Sequence, residues 1–157
     1  MTKHSALDTL LELAQTRTDD AARRLGALNT QGMDMEAKLS LLMQYWHEYS
    51  ARFETSMRQG ITASDWRNYQ EFLDKLDAAI TQQREILAAT RQRVEAGQVA
   101  WQSARGTLKS YDTLAQRHRR AELLHLARYE QKETDERASN TAARQDPLHY
   151  EHTTDHK

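Results

Sequence analysis

Two heptad ladders separated by one glycine-containing break confine this chain to a single kind of fold. The first ladder runs Leu7, Leu11, Ala14, Thr18, Ala21, Leu25, Leu28, Gly32, Met35, Leu39, Leu42, Trp46, Tyr49, Phe53. The second runs Trp66, Tyr69, Leu73, Leu76, Ile80, Gln83, Leu87, Thr90, Val94, Gly97, Trp101, Ala104, Leu108, Tyr111. Both advance by alternating threes and fours, which keeps one narrow stripe of a helix facing a partner in a left-handed coiled coil. A pair of helices has a seam but no interior in which to enclose convergent catalytic groups. A chain of this kind is expected to act by contact.

The composition agrees with a rod. Of 157 residues, 38% are hydrophobic and 29% charged. A compact globule carries more apolar residues than that, whereas a coiled coil must bury only about two positions in seven. Five Gly and one Pro leave few breaks, and Pro147 lies beyond every periodic segment. No Asn-Gly or Asp-Gly hairpin turn and no sustained period-two run suggests a strand. Acids and bases are interspersed to a net charge of -1, so no strong field favours nucleic acid or an anionic bilayer. The absence of cysteine excludes a disulfide framework and a thiolate metal site. No apolar run approaches the roughly 20 residues that cross a bilayer, and the first residues lack the apolar core of a secretion signal. These features predict a soluble, cytoplasmic, all-α protein.

Helix one is expected over about 5–57, with Ser5 as its cap and Asp8 as a weak capping-box partner. Asp19 with Arg23, and Asp20 with Arg24, have the spacing of exposed acid-to-base pairs. The turn is expected over about 58–65. Gly60 suits a left-handed stop, Thr62 or Ser64 suits a cap, and Asp65 suits the positive end of the next helix. Helix two is expected over about 66–138. So short a connection gives antiparallel neighbours. The predicted fold is a long antiparallel two-helix coiled coil, an αα-hairpin over 1–138, followed by a disordered polar tail over 139–157.

Folding the ladders about the turn sets Leu42 near Ile80, Leu25 near Gly97 and Gly32 near Thr90. The Gly32–Thr90 level carries little side chain and is expected to be loose or bent. Leu7 reaches only to about residue 115 of helix two. Past Tyr111 the apolar phase shifts: Leu114, Ala121 and Leu124 come one residue early, and the old phase would bury His118, Glu122 and His125. The last stretch of helix two is therefore expected to overhang alone or to turn its stripe to another partner.

Candidate sites are few. The seven histidines include a tail cluster, His149, His152 and His156, without a surrounding shell to fix it. His118, Glu122 and His125 share a helical face at metal-ligand spacing, yet nothing else converges on them, and a solvated face explains them. No HExxH, phosphate-binding glycine loop or Gly-x-Ser-x-Gly elbow occurs. No cofactor and no enzymatic activity are expected. Arg117, Arg119 and Arg120 surround His118 in the one dense basic run, which reads as a solvated face or as a contact for an acidic protein surface. No aromatic groove accompanies it as nucleic-acid binding would require. Tyr45 and Phe72 stand off the seam near the turn. They either broaden the seam or form a partner-binding patch of the kind exposed aromatics make. Leu10, Leu13 and Leu41 also lie off the seam.

His4-x-Ala6-Leu7-x-Thr9-Leu10-x-x-Leu13-Ala14 and Asp19-Asp20-Ala21-Ala22-Arg23-x-Leu25-Gly26, joined by Gly60-Ile61-x-x-Ser64-x-Trp66-x-Asn68-Tyr69-Gln70-x-Phe72 at the turn, resemble the FliJ family of the flagellar type III export apparatus. The likeness is ungapped to about residue 95, weakens along helix two and is lost in the tail. It implies a coiled coil similar to the central stalk of rotary ATPases. It implies three kinds of partner: the ring of the export ATPase, whose assembly and activity such proteins promote; the cytoplasmic domain of the export gate protein FlhA; and export chaperones. It implies a gate-contacting surface at Lys38, Leu42, Tyr45, Tyr49, Phe72, Leu76, Ala79 and Gln83. With it comes an expected position on the cytoplasmic side of the inner membrane, without insertion. The overhang past residue 115, with the N-terminal helix, is then the segment expected to meet the ATPase ring, through Arg117, Arg119 and Arg120. The alternatives are a self-assembling structural coiled coil and a dedicated substrate chaperone.

Overall fold

A computed structural model describes residues 2–145, and their side chains from residue 6 onward. It contains two helices, α1 (Thr2–Gln59) and α2 (Ala63–Gln145). The described residues include no strand. The chain divides into two compact units, Met1–Tyr111 and Asp112–Lys157.

The first unit is the antiparallel αα-hairpin that the ladders predict. Every rung from Leu7 to Phe53 is buried or half-buried, and so is every rung from Tyr69 to Tyr111. Trp66 differs, at 43% exposed. It stands in the first turn of α2, where the hairpin ends and little remains to cover an indole. The deepest part of the seam is built from α2, whose Leu73, Leu76, Ile80 and Leu87 are buried. Two of the expected levels meet, Leu25 with Gly97 and Gly32 with Thr90. A methyl group added at Gly97 would touch Leu25 and Leu28 of α1, and one added at Gly32 would touch Thr90 and Val94 of α2.

The turn is shorter than the sequence suggests, because both helices extend into it. Gly60 adopts φ 88°, a left-handed conformation that costs a residue without Cβ little. Thr62 is the cap: the Asp65 backbone N–H donates to Thr62 Oγ1 at 3.1 Å. The Trp66 N–H donates to the Thr62 carbonyl at 3.0 Å, closing the first helical turn. At the other end α1 begins at Thr2, upstream of Ser5, since no proline or glycine precedes Ser5 to stop the helix. Ser5 therefore lies within α1 instead of capping it.

Two polar residues belong to this seam. Gln83 is buried, and its amide Nε2 donates to the Met35 carbonyl across the hairpin at 3.1 Å. Thr90 is 2% exposed and returns its hydroxyl to the Ile86 carbonyl at 2.9 Å. Each polar group thus has a partner, which removes most of the penalty of burial. The Gly32–Thr90 level is closed and not loose. Thr90 and Val94 of α2 lie within contact of a Cβ placed at Gly32, and Thr90 is enclosed more fully than any other side chain described.

The same closeness makes a prediction. A Cβ at Gly32 would lie 3.9 Å from Thr90 Cγ2 and 4.0 Å from Val94 Cγ2, which is ordinary contact. Gly32→Ala should therefore stabilise the protein by about 1 kcal/mol, the penalty of glycine in a helix interior. Gly97→Ala should gain less, because its Cβ would lie 3.1 Å from Leu28 Cδ1 and the leucine must shift. Urea unfolding midpoints check both; a loss of stability in Gly32→Ala would contradict the level described.

Surface ion pairs add little. Arg91 and Glu36 pair across the hairpin at 3.4 Å, with both side chains more than half exposed; such pairs contribute about 0–1 kcal/mol. The expected pairs on α1 are rearranged. Arg23 reaches Asp20 at 3.6 Å, while Asp19 accepts from the Gln15 amide at 3.0 Å. On an exposed face the choice between three- and four-residue spacing is one of nearly equal rotamers.

The second unit holds the rest of α2. The earlier phase persists into it: Ala115 is buried, His118 is half-buried, and Leu114 is 51% exposed. The sequence favoured the shifted phase, in which Leu114 is covered; the residue covered is Ala115. From 119 to 145 every residue is exposed. The helix continues to Gln145, beyond the boundary expected at 138. Ala142, Ala143, Arg144 and Gln145 are good helix formers, and Thr141 folds its hydroxyl back onto the Arg137 carbonyl at 2.8 Å. The remainder of the expected tail, 146–157, lies outside the described residues. Among the described residues no helix is long and apolar enough to cross a membrane.

Candidate partner-binding surfaces

Near the turn, ladder and off-ladder aromatics from both helices interlock. Tyr49 of α1 and Phe72 of α2 pack with ring centroids 4.4 Å apart, tilted by 51°. One turn closer to the loop, Phe53 and Tyr69 pair at 5.5 Å. Arg52 lays its guanidinium 5.3 Å from the Tyr49 centroid. Tyr45 lies one turn from Tyr49 on the same face. Both off-seam aromatics keep substantial open surface, Tyr45 at 42% and Phe72 at 39%. Phe72 therefore does two things at once. Its ring covers an edge of the seam against Tyr49, and the rest of it faces out.

The residues expected on the gate-contacting surface divide by burial. Lys38, Tyr45 and Phe72 are exposed, and Leu42, Tyr49 and Ala79 are half-buried. Leu76 and Gln83 are 7% and 6% exposed. These two belong to the seam, and a partner meets them only through the residues they support. Gln83 is held by the Met35 carbonyl, a backbone acceptor that leaves no mark in sequence.

Two hollows flank this end of the hairpin and were not anticipated. One, of about 220 Å³, is lined by Tyr49, Asp65, Asn68, Tyr69 and Phe72. Its sequence trace is the Asn68-Tyr69 pair, two of whose neighbours form the ring stack. The other, of about 370 Å³, lies between Met43, Trp46 and His47 of α1 and Asp77, Ile80, Thr81 and Arg84 of α2. The indole Nε1 of Trp46 is buried and finds no acceptor among the described residues.

The second unit presents a different surface. Arg117, Arg119 and Arg120 are exposed. Leu123, Leu124, Leu126 and Tyr129 follow, each more than half exposed. His118 Nδ1 and Glu122 Oε1 are 3.7 Å apart. Among the described residues no group of three His, Asp or Glu side chains converges to hold a metal ion. The metal reading of His149, His152 and His156 concerns residues outside those described.

The open aromatic and basic surfaces are what the geometry offers a partner, and comparisons with known proteins place the chain in a family. The family description "Flagellar FliJ protein" matches residues 3–146. A flagellar FliJ protein of Salmonella typhi and one of Escherichia coli (strain K12) are each 38% identical to the chain over 144 residues, covering 92% of it and 98% of each relative. The chain therefore belongs to the flagellar FliJ family, a family of non-enzymatic components of flagellar protein export.

Proposed function

We propose that the chain is a connector in flagellar export, joining the export ATPase ring to the cytoplasmic domain of the gate protein FlhA and also engaging export chaperones. It works on the cytoplasmic side of the inner membrane without entering the bilayer. The observation that carries this reading is the open aromatic face at the turn end, with Tyr45 and Phe72 standing around Tyr49. Packing of the hairpin consumes only part of these rings. Exposed aromatics of this size are the residues that dominate interface energies when a partner buries them. The gate contact is assigned to Lys38, Leu42, Tyr45, Tyr49, Phe72 and Ala79, with Leu76 and Gln83 supporting them from the seam.

The ATPase contact is assigned to the second unit. Its support is the run of Arg117, Arg119 and Arg120 beside leucines that are more than half exposed. Arginine side chains suit recognition of carboxylates on a protein surface, and the leucines supply apolar area.

The triple variant Arg117→Glu, Arg119→Glu, Arg120→Glu tests this half of the proposal. All three side chains are exposed, so stability should change little. Stimulation of the purified export ATPase should fall to the basal rate, while helicity by circular dichroism is retained. Full stimulation by the triple variant would move the ATPase contact elsewhere.

A further inference from the structure

We propose that the hollow beside the turn receives an arginine or lysine side chain of the protein that docks on the aromatic face, with Asp65 as its counter-charge. The proposal deepens the docking reading above and rests on it. It adds to that surface three residues not assigned to it by any other argument: Asp65, Asn68 and Tyr69.

The hollow has aromatic walls and one charged lip. Tyr49, Tyr69 and Phe72 line it, and Asp65 and Asn68 complete it. Asp65 is exposed. Its backbone is fixed, since its N–H donates to Thr62 Oγ1 in the cap of α2. Its carboxylate makes no hydrogen bond or ion pair with any described residue. It stands in the first turn of α2, at the lip of the hollow. Asn68 adds an amide that can accept or donate at the same rim.

That combination selects among occupants. A purely apolar side chain would fill the hollow but would cover an unpaired carboxylate, which costs free energy. A second carboxylate would be repelled. A long basic side chain satisfies both parts: its stem lies on apolar rings, its cation faces their negative π surface, and its head reaches the carboxylate. The chain already shows that this ring cluster takes a guanidinium, in Arg52 at 5.3 Å from the Tyr49 centroid. Arg52 is not among the residues that line the hollow.

The test is titration of the full chain with the purified cytoplasmic domain of the gate protein, at low and at physiological salt. Asp65→Asn keeps the shape and removes the charge. It should weaken binding about fivefold and flatten the salt dependence, as expected for loss of one partly exposed ion pair with a cation–π component. Asp65→Glu should retain most of the affinity, and Asp65→Lys should weaken it further than Asp65→Asn. Wild-type affinity and salt dependence in Asp65→Asn would overturn the proposal, as would equal losses in Asp65→Asn and Asp65→Glu. Tyr45→Ala with Phe72→Ala separates this from the broader reading. If that double variant loses affinity while Asp65→Asn does not, the hollow alone is wrongly assigned. If the double variant also binds like wild type, the docking surface itself is wrong.

Discussion

Replacing Leu87 with alanine is expected to lower the unfolding free energy by about 2–5 kcal/mol, the range for truncating a buried leucine. Leu87 is 5% exposed and sits in the middle of the seam, where both helices continue in either direction and cannot collapse onto a cavity by fraying. A rod has few such residues, so each carries a large share of a total of only about 5–15 kcal/mol. The midpoint of thermal unfolding, followed by helical circular dichroism, should drop by roughly 4–20 °C. Leu123→Ala is the control. Leu123 is 66% exposed, and its truncation should change stability by no more than about 0.5 kcal/mol. Equal losses in the two variants would mean that the seam described is not the stabilising element.

The second large effect is on binding. Tyr45→Ala combined with Phe72→Ala should reduce affinity for the gate domain by at least about a hundredfold, since truncating even one well-placed interface aromatic costs about 2 kcal/mol or more and the two lie on one face. Stability should fall only modestly. Both side chains are more than a third exposed, although Phe72 gives up its stacking on Tyr49, worth about 0.5–1.5 kcal/mol. Titration calorimetry and a swimming assay measure the two consequences. Unchanged affinity in a folded double variant would return Tyr45 and Phe72 to the role of seam edges.

Much of this molecule is legible in its sequence, because a coiled coil writes its contacts directly as a period. Every ladder rung of α1 is buried or half-buried, and so is every rung of α2 but the first, Trp66, and the short glycine-containing break set the direction of the second helix. Legibility failed where burial depended on something other than apolar pattern. Thr90 reads as a weak rung, yet facing Gly32 it is the best enclosed side chain among those described. Gln83 reads as a polar rung of the ladder and, by resemblance, as part of a contact surface, yet its amide bonds a backbone carbonyl across the hairpin, and carbonyls have no sequence signature. Leu114 outranks Ala115 on hydrophobicity, but the geometry of a continuous helix carries the old phase onward, and Ala115 is the residue enclosed. Off the seam, Tyr45 and Phe72 were visible as surplus aromatics. The hollow beside them was not, since it arises only when residues of two helices are brought to one level.

The two surfaces are also unlike in chemistry. One is aromatic with a single carboxylate at its lip; the other is basic and leucine-rich. The connector proposal requires this difference, because identical surfaces would compete for one partner, whereas unlike surfaces favour two different ones.

The most direct test of a connector with separable surfaces is a crossed titration. The Tyr45→Ala, Phe72→Ala variant and the Arg117→Glu, Arg119→Glu, Arg120→Glu variant are each measured against the gate domain and against the export ATPase. The account predicts that the first variant loses the gate and keeps the ATPase, and that the second does the reverse. Loss of both partners in either variant, or of neither in both, would contradict it.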